Sequence, residues 1–137
     1  MPKPRFLVLT PDVLSASAEP VLPEAGDAEL LSGAVDAGHR PPAARVADLA
    51  SAGNTVLVRC VRPGGRGPRT DLPPAPPGIA GAVPVAAAEE VSLATVYAWA
   101  GARVFVTEHP GRVRLALDMV ASVRGERPPA AVRRGLA

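Results

Sequence analysis

The segment from Tyr97 to Gly125, YAWAGARVFVTEHPGRVRLALDMVASVRG, constrains the fold most, because it spells helix end, Gly-Ala turn, short apolar strand, loop and amphipathic helix. That succession is a parallel βα unit, since parallel strands need a helical crossover between them. In sheets of this kind ligands meet the loops that leave the carboxyl ends of the strands. Here that loop is Thr107, Glu108, His109 and Pro110.

The rest of the chain carries the same theme. Phe6 to Leu9 is a continuous apolar run stopped at Thr10-Pro11-Asp12, the pattern of a strand buried on both faces. Asp27 opens a helical pattern with Leu30, Leu31, Ala34 and Val35 on one side and Gly38 as its terminator. Pro41-Pro42 starts a second helix, with Val46, Leu49 and Ala50 at i, i+3 and i+4 and Gly53 at its end. Thr55 to Val58 is β-branched and apolar, and it delivers Arg59, Cys60, Val61 and Arg62 at its carboxyl end. Ala82 to Ala86 forms a short strand on this reading. Glu89 and Glu90 then suit the first turn of a nearly all-apolar helix, where the macrodipole favours acids.

These patterns predict an α/β fold with a short parallel sheet: strands near 6-10, 55-60, 82-86 and 103-107, helices near 27-37, 42-52, 88-100 and 111-124. Residues 1-125 form one domain, interrupted over 63-80 by a Pro/Gly-rich joint, and residues 126-137 form an extended basic tail. A chain of 137 residues holds one core but falls short of the ~250 residues of a complete eight-stranded βα barrel. Apolar residues make up 47% and aromatics 3%, so the core is built mostly from Val, Leu and Ala. A net charge of +2, with no basic stripe, argues against nucleic-acid binding. The single cysteine, Cys60, excludes an internal disulfide, and no apolar run is long enough for a signal peptide or a membrane span. A soluble, cytoplasmic protein is expected.

Three pieces, in chain order, resemble dihydropteroate synthase, the folate-pathway enzyme built on a pterin-binding βα barrel (TIM barrel). Leu7-Val8-Leu9-Thr10-Pro11-Asp12 resembles the family's opening strand and its Asn-Val-Thr-Pro-Asp motif. Ala47 to Gly64, ADLASAGNTVLVRCVRPG, is similar to the first barrel helix, the second strand and the Ser-Thr-Arg-Pro-Gly loop. Glu89 to Gly125 looks like the last crossover helix, the eighth strand and the final helix. The resemblance implies a truncated, half-barrel fold in which strands equivalent to the seventh, eighth, first and second lie side by side. Such a half barrel leaves two sheet edges and the inner side-chain layer uncovered, so it also implies a homodimer.

What the resemblance implies for chemistry is mostly loss. The metal-binding asparagine falls on Val8, which has no oxygen to offer magnesium, so magnesium enters only if synthase activity survives. Thr10, Asp12 and Arg62 match positions where the family handles substrate and diphosphate, and Arg59 stands at the same strand end. The eighth strand's Arg-Val-His falls on Val106, Thr107 and Glu108, with His109 one place further on. The pterin-reading residues belong to middle strands with no counterpart here. The ligand-binding candidates are therefore Thr10, Asp12, Arg59, Arg62, Thr107 and His109, with no catalytic residue assigned and no metal site. Each has a plain alternative. Asp12 suits a turn or helix cap, His109 beside Glu108 a solvated loop pair, and the arginines surface salt bridges.

Three functions follow as expectations. The first is a dihydropteroate synthase-like protein without full synthase activity that binds a partner protein or a pterin or phosphate ligand. The second is a transferase of the same pathway whose site two chains assemble together. The third is a structural interaction module docking on another protein.

Overall fold

The computed structural model describes residues 6–15, 27–62 and 85–126. The joint expected over 63-80 and the tail beyond Glu126 lie outside the described residues. In chain order the elements are β1 (Leu7–Leu9), α1 (Pro11–Ser15), α2 (Asp27–Ser32), β2 (Ala34–His39), α3 (Ala43–Ser51), β3 (Thr55–Arg59), α4 (Val85–Ala100), β4 (Val104–Val106) and α5 (Pro110–Val123). The four strands form one sheet in the order β1-β4-β3-β2, and every pairing is parallel.

The period-two alternation of the strands sorts their side chains onto two faces. Phe6, Val56, Val58, Cys60 and Phe105 point to one face, where α3, α4 and α5 cover them with Val46, Ala94, Tyr97, Ala98, Val113, Leu117 and Val120. Leu7, Leu9, Leu57, Val104 and Val106 point to the other, against Val13 and Leu14 of α1 and Leu30 and Leu31 of α2. β4 is central and buried along its length, which is why its sequence is Val-Phe-Val without alternation.

Parallel α/β architecture and the pairing of the strand at Phe6 with the strand at Arg103 agree with the sequence expectation: Leu7 stands opposite Val104 and Leu9 opposite Val106. Four expectations need correction. The helix expected over 27-37 stops at Ser32, and Ala34–His39 is instead an edge strand held by β3. Gly33 N–H donates to Glu29 O at 3.1 Å to end the helix, and Gly38, expected as a helix terminator, lies inside the strand at φ +99°, where the register shifts between Asp36 and His39. Of the strand expected over 82-86, Val85 and Ala86 belong instead to α4, and residues 82–84 lie outside the described residues. Finally, β3 pairs with β4 rather than with β1, so the strand over 55-60 does not take the place of a second barrel strand.

The fourth correction concerns the inner layer. The face expected to lie open and to drive dimerisation is closed, since Leu7, Leu9, Leu57, Val104 and Val106 are all buried, packed with side chains of α1 and α2. No helix among the described residues is long and apolar enough to cross a membrane.

Candidate functional site

The carboxyl ends of all four strands finish in one row, laced by backbone hydrogen bonds beyond the strands proper. Thr107 N–H donates to Leu9 O at 2.9 Å, Cys60 N–H to Val106 O at 2.9 Å, and Arg40 N–H to Arg59 O at 2.8 Å. The residues just past each strand, Thr10, Thr107 to His109, Cys60 to Arg62, and Arg40, therefore share one edge of the domain. α4 crosses from β3 to β4 and begins at this same edge, which brings Glu89 and Glu90 to the strand ends.

Two clusters hang on those adjacent carboxylates. Glu89 Oε2 accepts from Arg40 Nη1 and Nη2, both at 3.4 Å, and from Arg62 Nη2 at 3.1 Å, while Arg62 Nη2 also reaches Oε1 at 3.2 Å. Arg40 is anchored a second time through Nε, which donates to Cys60 O at 3.0 Å. Its backbone lies at φ +43°, a left-handed conformation that is costly for a residue with a long side chain and is retained here by contacts with both neighbouring elements.

Glu90 is buried and organises the end of β4. Its Oε1 accepts from the Thr107 hydroxyl at 3.2 Å and from Glu108 N–H at 3.1 Å, and His109 Nε2 lies 3.3 Å from Oε2. His109 N–H donates to Thr107 Oγ1 at 3.0 Å, so the hydroxyl serves both as donor and as acceptor. A buried carboxylate is tolerable only when it is supplied with donors in this way.

The six sequence candidates thus fall into different roles. Arg62 joins a guanidinium pair, and His109 pairs with Glu90 rather than standing as a solvated partner of Glu108. Thr107 is fully buried and holds the loop. Arg59 turns to Asp36, with Nη2 2.8 Å and Nε 3.1 Å from the same carboxylate oxygen, and so does not converge with Arg62. Burial alone would raise the Asp36 pKa, but the Arg59 hydrogen bonds, the Gly38 N–H and the guanidinium charge together hold it below the ordinary carboxylate value. Thr10 accepts Val13 N–H through its carbonyl oxygen at 3.2 Å, and Asp12 lies exposed in the first turn of α1. Where the resemblance places a magnesium ligand stands Val8, packed against the core, and its side chain has no oxygen to offer that ion.

Arg40 and Glu90 were not among the sequence candidates. Arg40 follows a strand whose sequence, AVDAGH, has no strong β signal, and Glu90 differs from any other acid near a helix start only through its burial.

Cys60 lies beneath the Arg40 cluster and is inert. Burial, then the nearby Glu90 charge, pushes its thiol from 9.0 to about 12, with Arg40 opposing. At pH 8 alkylation of the native protein by iodoacetamide is expected to be at least about a thousandfold slower than in guanidinium, matching the thiolate fraction. Between pH 9 and 12 the unfolded chain releases this proton and the native chain keeps it, so the thiol's contribution to stability falls as pH rises through that window. Equal alkylation rates in the two states would contradict the burial of Cys60.

No protein-family model, curated protein or solved structure matches this chain.

Proposed function

We propose that the protein is a shortened, dihydropteroate synthase-like relative that binds a phosphate-bearing ligand of the pterin diphosphate type at the carboxyl edge of its sheet and lacks full synthase activity. The observation that supports it most is the convergence of Arg40 and Arg62 on Glu89. Two guanidiniums hold up to ten N–H donors against the four or so acceptor sites of one carboxylate. A phosphate, with three acceptor oxygens and bidentate geometry, matches that surplus. Binding there replaces or shares Glu89, whose side chain is held by ion pairs at 3.1 and 3.4 Å.

The half-barrel part of the reading draws on strand order. In a closed βα ring consecutive strands are neighbours and the last meets the first, which is the order β2-β3-β4-β1 seen in this open sheet. On that reading β2 and β3 take the places of two strands preceding the last, and α3, α4 and α5 occupy the outer face. Val8 in place of a metal ligand, and the lack of counterparts to the pterin-reading middle strands, favour binding over group transfer.

Thermal unfolding with inorganic pyrophosphate and with a pterin diphosphate tests the reading. A ligand present at a hundred times its dissociation constant stabilises by about 2.7 kcal/mol. The expected outcome is a shift that Arg62→Met abolishes, with no product formed on adding para-aminobenzoate. Absence of a shift with either ligand at millimolar concentration rejects the site.

A further inference from the structure

His109 carries a ring nitrogen that the fold has not used. Its Nε2 lies 3.3 Å from Oε2 of Glu90, whose side chain is only 4% exposed. Glu90 is itself held through Oε1, which accepts from the Thr107 hydroxyl at 3.2 Å and from Glu108 N–H at 3.1 Å. Those two donors fix which carboxylate oxygen turns to the imidazole. Facing a carboxylate, Nε2 keeps the proton, so the neutral ring has its lone pair on Nδ1. His109 is the N-cap of α5, yet its side chain makes no capping hydrogen bond, so no helix N–H occupies that lone pair. The side chain is 29% exposed, and a Cβ on Gly111 would meet no atom within 4 Å, so the loop leaves room beside the ring. An imidazole oriented by a fixed carboxylate at one nitrogen is prepared to act as a nucleophile or base at the other.

We propose that His109 is a nucleophile that cleaves phosphoanhydrides, taking the terminal phosphoryl group of a diphosphate onto Nδ1 and passing it to water. The inference rests on the phosphate-binding reading of the Arg40 and Arg62 pair and adds a reaction to it. Two features bring the guanidiniums and the histidine together. Glu89 and Glu90 are consecutive residues of α4, one serving each cluster. Cys60 adjoins both, since Arg40 Nε donates to its carbonyl oxygen at 3.0 Å and the Arg40 and Glu90 charges both act on its thiol. In the first step the Nδ1 lone pair attacks the terminal phosphorus, an N–P bond forms, and the anhydride P–O bond breaks with its electron pair leaving on the monophosphate. The ring becomes cationic, and Glu90 offsets that charge through Nε2–H. Arg40 and Arg62 hold the phosphate oxygens over which charge is redistributed. In the second step water attacks the same phosphorus, and the N–P bond breaks with its electrons returning to Nδ1. Both water protons end on the product, dihydrogen phosphate. A diphosphate ester and water thus give a monophosphate ester and orthophosphate with no further reactant. Cleaving the anhydride needs none of the pterin-reading residues whose counterparts this chain lacks.

Incubating the full chain with radiolabelled pyrophosphate, followed by peptide mapping, tests the proposal. The expected result is an acid-labile, base-stable phosphoryl group on His109, the Nδ1 isomer by phosphorus NMR, with steady release of orthophosphate. His109→Gln is expected to lose label and turnover while pyrophosphate still stabilises it against heat. His39, the other histidine, has Nδ1 3.4 Å from Val61 O, and His39→Gln is expected to change neither readout. Glu90→Gln tests the positioning of the ring. Its carbonyl oxygen still accepts from Thr107 and Glu108, so its amide N–H faces Nε2 and moves the ring proton to Nδ1. The expected result is an inverted histidine tautomer by nitrogen NMR, loss of the label and an unchanged circular dichroism spectrum. Pyrophosphate that stabilises the wild type but yields neither label nor orthophosphate overturns the nucleophile and spares the binding site. Label that survives His109→Gln, or an undiminished Nδ1 adduct in Glu90→Gln, overturns it as well. Absence of both stabilisation and label rejects the binding site and the reaction together.

Discussion

The Phe105→Ala variant is expected to unfold about 3–5 kcal/mol more readily than the wild type in urea, the usual cost of emptying a fully buried aromatic site. Phe105 is the middle residue of the central strand and has no solvent exposure. Its ring meets Phe6 edge-on, with centroids 5.7 Å apart and planes at 72°, a geometry that adds to simple burial. Apart from Phe6 and Tyr97, the core around it is mostly small and aliphatic, with Val46, Val56, Val58, Ala94, Ala98 and Ala102. Small side chains close poorly over a large void, so the cost belongs at the upper half of that range. A loss below about 1 kcal/mol would mean that this strand is not the centre of the domain.

Gly101→Ala is expected to cost about 2–4 kcal/mol, from left-handed backbone strain and overpacking together. Gly101 turns the chain from α4 into β4 at φ +112°, and a Cβ there meets the Ala50 Cβ of α3 at 2.6 Å. Ala50 is a methyl on a packed helix and has no flexible end to swing aside. The substitution therefore pushes α3 from α4 or distorts the turn that aligns Val104 with Leu57. Calorimetry should show a clearly lowered melting temperature, whereas Gly53→Ala meets no atom within 4 Å and isolates the cost of a positive φ alone. Equal losses in the two variants would remove the close approach of α3 as a factor.

How much of this was legible in the sequence depends on where each element lies. β4 is buried on both faces, and β1 is buried at Leu7 and Leu9 and half-buried at Val8, so their apolar runs between strong breakers announce them. β2 is an edge strand of Ala, Val, Asp and Gly, mostly half-buried or exposed, and only its pairing with β3 makes it a strand. Leu30, Leu31, Ala34 and Val35 suit one helix face equally well, and local pattern has no means of seeing that Gly33 divides them. The Val-Ala run near residue 85 is the opposite case: strand and helix readings compete over a short apolar run, and alanine's helix preference prevails. The site inherits these limits. Arg62 is visible because its strand is visible, Arg40 is hidden because β2 is, and the reach of Glu90 to Thr107 and His109 is a property of how α4 docks.

The pairing of β1 with β4 has a consequence for the order in which the molecule assembles. The strand at Leu7 finds its hydrogen-bonding neighbour only after Val104 to Val106 have been made, and Arg114 of α5 donates to Phe6 O at 2.8 Å across 108 residues. During synthesis the apolar segment Phe6 to Leu9 therefore stays without β4 while β2, β3 and α3 form around local contacts. That interval is when chaperones and proteases have access to it. A circular permutant that supplies Phe6 to Leu9 after α5 would shorten the loop to be closed and should refold faster at similar stability.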